Sequence, residues 1–174
     1  MKWCNDSVDG SQSWKIQIAE DMYDAPNNWI TKTTGAGGAG FDSQWDALFV
    51  HPIRAAVVDP NDNNRNMFDV RDAIGHYYNG QAFQRVIYTE SHDEVANGRS
   101  RVPEEIWPGN ASSYYSKKRS TLASALVLTS PGIPMMFMGQ EFLEDGYFSD
   151  DDHLDWNKLT LFPGIHAMYR DMIR

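Results

Sequence analysis

Short apolar runs alternate with longer amphipathic stretches along this chain. Lys-Ile-Gln-Ile-Ala at 15–19 predicts a strand, and a second short strand is expected at 41–45, after a cluster of glycines at 35–40. In 46–58, Leu48, Phe49, Ile53, Ala56 and Val57 fall at helical spacing, so their apolar side chains share one face of a helix. A polar loop at 61–66 leads into a helix expected over 67–78, and Arg-Val-Ile-Tyr at 85–88 predicts a third strand. A loop carrying Pro103, Pro108 and Gly109 follows. Helical spacing returns over 116–129 with Leu122, Ala125, Leu126 and Leu128, and Pro131-Gly132 stops it. Residues 133–138 are nearly all apolar, which predicts a fourth strand buried on both faces. An acidic loop spans 144–155, and a last helix is expected from about 162, still running at Arg174. The opening residues Lys2-Trp3-Cys4-Asn5 also read as helix.

Strand, helix, strand, helix with continuous apolar strands predicts parallel βα units and an α/β fold. Four strands are expected. A closed (β/α)8 barrel takes about 250 residues, so residues 1–174 are read as one partial domain, half of such a barrel. No internal repeat is visible.

Composition narrows the function classes. Of the 174 residues, 41% are hydrophobic and 13% aromatic, enough for a sizeable core. The net charge of −9 makes a nucleic acid an unexpected partner, because contacting phosphates requires a basic face. No apolar run approaches the ~20 residues of a membrane span, and the start lacks the apolar core of a secretion signal. The expected setting is the cytoplasm, or the chain begins inside a longer protein. The single cysteine, Cys4, cannot form an internal disulfide and is expected to be a structural thiol.

In parallel βα folds, reactive residues collect past the C-terminal ends of the strands. Three of the four predicted strand ends carry carboxylates: Glu20-Asp21, His92-Asp93-Glu94 and Glu141. Any one of these is a plausible solvated loop acid, but three on one rim form a pattern. Carboxylates facing each other across a cleft suit glycoside cleavage, in which one donates a proton and another faces an oxocarbenium-like centre. The acidic run at Glu144, Asp145, Asp150, Asp151 and Asp152 lacks the spacing of a calcium loop, and a solvated loop is expected there. No metal site is expected. The glycines at 35–40 lack the Lys-Ser/Thr of a phosphate loop. Trp29, Trp45 and Trp107 are candidates either for core packing or for stacking on sugars.

These strand ends resemble glycoside hydrolase family 13, the α-amylase superfamily. Ile18-Ala19-Glu20-Asp21 is similar to its fifth-strand motif and Gly38-Ala39-Gly40-Phe41-Asp42-Ser43-Gln44-Trp45 to its sixth-strand region. Ser91-His92-Asp93-Glu94-Val95 resembles the seventh-strand motif, its Glu94-Val95 continuation looking most like branching-enzyme members. Gly132 to Phe142 resembles the eighth strand, and Leu154-Asp155-Trp156 the segment after the barrel. The resemblance covers nearly the whole chain, in order. It implies Glu20 as general acid/base, Asp93 as the carboxylate that stabilises the transition state, and His92 as a sugar-binding side chain. Asp21, Glu94 and Glu141 become candidate substrate contacts. It implies retaining hydrolysis or branching transfer at α-1,4-linked glucans and no organic cofactor.

One departure is large. The family's nucleophile, an Asp in a Gly-Phe-Arg-x-Asp motif of the fourth strand, does not occur in these residues; Arg71-Asp72 has the wrong spacing and falls in a predicted helix. The resemblance therefore implies a fragment inactive by itself. Two rivals stand beside it: a freestanding half-barrel that self-associates through exposed strand edges, and a non-catalytic protein that binds glucan or a partner.

Overall fold

The computed structural model describes residues 15–22, 28–96 and 98–174. The helix expected at the first residues, with Cys4, lies outside them. Four parallel strands form one sheet in the order β1-β2-β3-β4: β1 Ile18–Ala19, β2 Ser43–Trp45, β3 Arg85–Ile87 and β4 Ile133–Pro134. Ile18 lies beside Ser43, Gln44 beside Arg85 and Val86 beside Ile133. Each parallel step requires a crossover, and helices supply it. Helix α1 (Ala47–Val58) and α2 (Met67–Gly75) connect β2 to β3. The short α3 (His92–Val95) and α4 (Val102–Ile106), then the long α5 (Tyr114–Thr129), connect β3 to β4. Beyond β4 come α6 (Lys158–Leu161) and α7 (Pro163–Ile173).

Strand alternation divides the core. Ile87 faces the helices and packs with Phe49, Ile53, Val70, Ala123 and Val127. Its neighbours Val86 and Tyr88 point to the other face, where Trp45, Ile133 and Met135 join them. On that side burial is incomplete: Ile16, Ile18, Met136 and Met138 are exposed.

Several boundaries differ from expectation. β1 begins at Ile18 rather than Lys15. The fourth strand does not run to residue 138 and is not buried on both faces: it is an edge strand of two residues, Ile133 half-buried and Pro134 exposed. Met135 N–H still donates to Ile87 O at 2.9 Å, but Pro134 has no N–H to give. Helix α2 stops at Gly75 rather than 78, and Tyr78 leaves the helix to bury its ring against Asp46, its hydroxyl 3.3 Å from Oδ1. Asn79 and Gly80, both at positive φ, then turn the chain toward β3. The loop expected around Pro103 contains α4, with the proline in its first turn, where a missing N–H costs no helical bond.

Buried charges bind the layers. Asp46 caps α1 by accepting the Leu48 N–H at 3.0 Å, and it also receives Arg85 Nη1 at 3.1 Å. Arg85 is fully buried and donates in addition to Ala73 O, Ile74 O and Pro131 O. One guanidinium thus ties β3 to α1, α2 and the turn before β4.

Candidate functional site

Past the end of β1 lies Glu20, and past the end of β3 lie His92 and Asp93 in the first turn of α3. Because β1 and β3 are parallel and separated only by β2, their C-terminal ends open on the same rim. There His92 Nε2 stands 3.3 Å from Glu20 Oε1 and 3.3 Å from Asp93 Oδ1. All three side chains are exposed, and their polar atoms lie within 4.8 Å of one another. Both carboxylates face the same ring nitrogen, and a small cation would find three ligand atoms here. Trp45, at the end of β2, sets its ring edgewise to the His92 ring at 5.9 Å and to Tyr88 at 5.2 Å. Tyr88 is fully buried beneath the cluster and donates to Met22 Sδ at 3.1 Å. Burial, then the negative fields of Glu94, Asp93, Asp46 and Glu20, push its phenol far up, so it stays neutral.

The turn presenting His92 and Asp93 is held from below. Ser91 caps α3, accepting the Glu94 N–H at 3.3 Å. Glu94 points away from His92 into the protein, 4% exposed, beside Arg54 Nε at 3.5 Å and Arg99 Nη1 at 3.2 Å. Arg54, buried on α1, also donates to Thr89 O at 2.7 Å and Ser100 O at 3.1 Å and pairs with Glu105 at 2.7 Å. It clamps both ends of the segment that carries the cluster. Glu90, three residues past β3, is fully buried and receives Arg101 Nη1 at 3.2 Å and the Val102 N–H at 2.7 Å. Burial pushes its carboxyl up against the opposing pull of Arg101. Arg101 Nη1 reaches on to Met138 O at 2.7 Å and so fixes the loop after β4.

Of the residues expected at the site, the structure brings together Glu20, His92 and Asp93. Asp21 is exposed on the same strand end, and its carbonyl accepts Gln44 Nε2 at 3.4 Å. Glu141, half-buried in the turn after β4, accepts the Gly139 N–H at 3.0 Å and is not among the groups converging on His92. Glu94 has the different task of anchoring the turn. The acidic loop is not wholly solvated: Glu144 is buried, receives Lys158 Nζ at 2.6 Å and accepts the N–H groups of Gly146 and Asp155. Arg54 and Arg101 went unanticipated, since an isolated arginine in a helix or loop carries no pattern. Ser91-x-x-Glu94, however, has the spacing of a capping box and signals a helix start at this place.

The chain as a whole is similar to known proteins. The 1,4-alpha-glucan branching enzyme GlgB of Chlamydia caviae is 30% identical over 145 residues, which cover 83% of this chain and 19% of that enzyme. The branching enzyme of Burkholderia vietnamiensis is 28% identical over 185 aligned positions, covering 100% of this chain and 23% of its own. The chain is a relative of the 1,4-alpha-glucan branching enzymes, and through them of the α-amylase family. It spans about a fifth of the length of these relatives. No family model matches it. In fold it is similar to the crystal structure of a pullulanase from Anoxybacillus sp. LM18-11, with a TM-score of 0.70 and 22% identity over 97% of this chain and 26% of that one. The same pullulanase complexed with maltotetraose gives a TM-score of 0.63 over 98% of this chain and 28% of that one.

Proposed function

We propose that residues 1–174 form half of a (β/α)8 catalytic barrel, the fifth to eighth βα units of an enzyme acting on α-1,4-linked glucans. Glu20 is the general acid/base. Asp93 steadies the positive charge that develops at the sugar, and His92 holds the sugar hydroxyls; Asp21 and Glu141 line the same rim as substrate contacts. The observation that carries this reading is the convergence of Glu20 and Asp93 on one imidazole nitrogen, each at 3.3 Å, from two parallel strand ends. Such a cluster presents one group able to donate a proton and another able to stay ionised beside the reacting carbon.

By this reading the 174 residues do not complete the reaction alone. Retaining cleavage needs a nucleophilic carboxylate about 5–5.5 Å from the acid, on the opposite face of the sugar. Asp93 serves another task, and a Gly-Phe-Arg-x-Asp segment is absent from the sequence. Deleting a catalytic nucleophile removes about 10⁴–10⁶ in turnover. Reducing-sugar release from amylose and glycogen is expected to be no greater for the wild-type chain than for Glu20→Gln. Release by the wild type that disappears in Glu20→Gln contradicts the inactivity while supporting the role of Glu20.

A further inference from the structure

Away from the Glu20–His92–Asp93 rim, a groove of about 570 Å³ opens between the first turns of α5 and the junction of α6 with α7. Its volume lies within the range of small-ligand sites, about 300–1,000 Å³. Leu161, Phe162, Pro163 and Met168 supply an apolar wall, and the exposed ring of Tyr114 stands on the α5 side. Lys117 and Lys118 are its charged groups, and no carboxylate lines it.

In a chain of net charge −9 this groove is locally cationic. Among the described residues its two lysines meet rings rather than acids: Lys117 Nζ lies 5.6 Å from the Phe162 ring centroid and Lys118 Nζ 5.9 Å from that of Tyr114. Lys158, by contrast, is held by Glu144 and Asp145. A ring face gives an exposed ammonium only about 0.5–1 kcal/mol, so both charges remain available to an anion. Phe162, at the cap position of α7, offers no side-chain acceptor, and its carbonyl takes the Ile165 and His166 N–H groups. Gly164 also lines the groove and adds one of the donors that a helix start leaves over. Two ammonium groups match a dianion better than a single carboxylate, and the apolar wall calls for a body that a bare ion lacks. A phosphate monoester carries about −1.5 to −2 charge near neutral pH, and a sugar or nucleoside esterified to it brings a ring to lie on that wall.

We infer that the groove between α5 and α7 binds a small phosphate monoester with a ring-shaped body, its phosphate on Lys117, Lys118 and the Gly164 N–H and its ring on the wall formed by Leu161, Phe162 and Met168. The site is separate from the rim that carries Glu20, His92 and Asp93, and it stands whether or not that rim acts on glucan.

Amide spectra of the ¹⁵N-labelled chain test this in titrations at constant ionic strength with glucose 6-phosphate, AMP and inorganic phosphate, glucose and adenosine serving as uncharged controls. The Gly164 amide is expected to shift saturably with an ester, about threefold or more tightly than with inorganic phosphate, and to stay fixed with the controls. A response to glucose 6-phosphate alone marks a sugar-phosphate site, to AMP alone a nucleotide site and to both a site for the shared ester chemistry; each supports the proposal. Lys117→Gln and Lys118→Gln, both surface changes, should each weaken the binding about threefold to tenfold. A Gly164 amide that stays fixed in every titration overturns the site, and so does a response that survives undiminished when both lysines are replaced. Equal affinity for inorganic phosphate and the esters means an adventitious ion only and overturns it as well.

Discussion

His92 depends on neighbours of opposite kinds: two exposed carboxylates in front and a buried, neutral Tyr88 with Trp45 behind. The carboxylates converge on Nε2, and Trp45 and Tyr88 close the aromatic side of the cluster. Removing a carboxylate should loosen the ring more than it unfolds the chain, because all three polar side chains are exposed. Glu144 behaves differently. Burial raises its carboxyl, but Lys158 and the N–H groups of Gly146 and Asp155 outweigh this and hold it at about 2, against an ordinary 4.5. A carboxylate depressed on folding contributes stability that is complete above about pH 4.5 and is lost as pH falls toward 2, since over that range only the unfolded chain binds the proton. Lys158→Met should therefore lower stability at pH 6 and flatten the dependence of unfolding free energy on pH between 4.5 and 2. Denaturant titrations at a series of pH values measure both, and an unchanged slope would show that Lys158 is not what holds the carboxyl down.

At the scale of elements, the sheet is short and buried charges bind it to its helices. Arg85 and Asp46 are both fully buried, and removing one partner leaves the other uncompensated. Arg85→Met is expected to cost about 3–5 kcal/mol, read as a lower urea midpoint; a loss below 1 kcal/mol would mean that Asp46 is satisfied by Leu48, Tyr78 and His76 without the arginine. Periodicity located all four strands and the three longest helices, because each has one face in a core that accepts only apolar side chains. It overran β4 because an apolar run looks alike whether its second face meets protein or is left open, and Met136 and Met138 are exposed. It overran α2 because Tyr78 is as apolar as a helix residue but is drawn off by a hydrogen bond to Asp46, 32 positions away. In the site, Glu20, His92 and Asp93 were legible from strand-end placement and motif. The clamp of Arg54 on Thr89, Ser100 and Glu94 was not, since those partners lie 35 to 46 positions distant and leave no local trace.

For the molecule as a whole, the sheet ends in two edges, β1 and β4, and exposes Ile16, Ile18, Met136 and Met138. Open edges and uncovered apolar side chains favour association. Sedimentation equilibrium should show the isolated chain self-associating as concentration rises, and a compact monomer at high concentration would mean that these surfaces tolerate water. The curated relatives are more than four times as long, and in the proposed half-barrel the same surfaces meet the remaining βα units. The central claim is that the Glu20–His92–Asp93 cluster grips an α-glucan, and it is tested most directly by following the His92 ring resonances during a titration with maltotetraose. The account predicts a saturable shift of the ring signals that Asp93→Asn greatly reduces. Ring signals that stay fixed at every sugar concentration, in a chain shown by its amide spectrum to be folded, would contradict it.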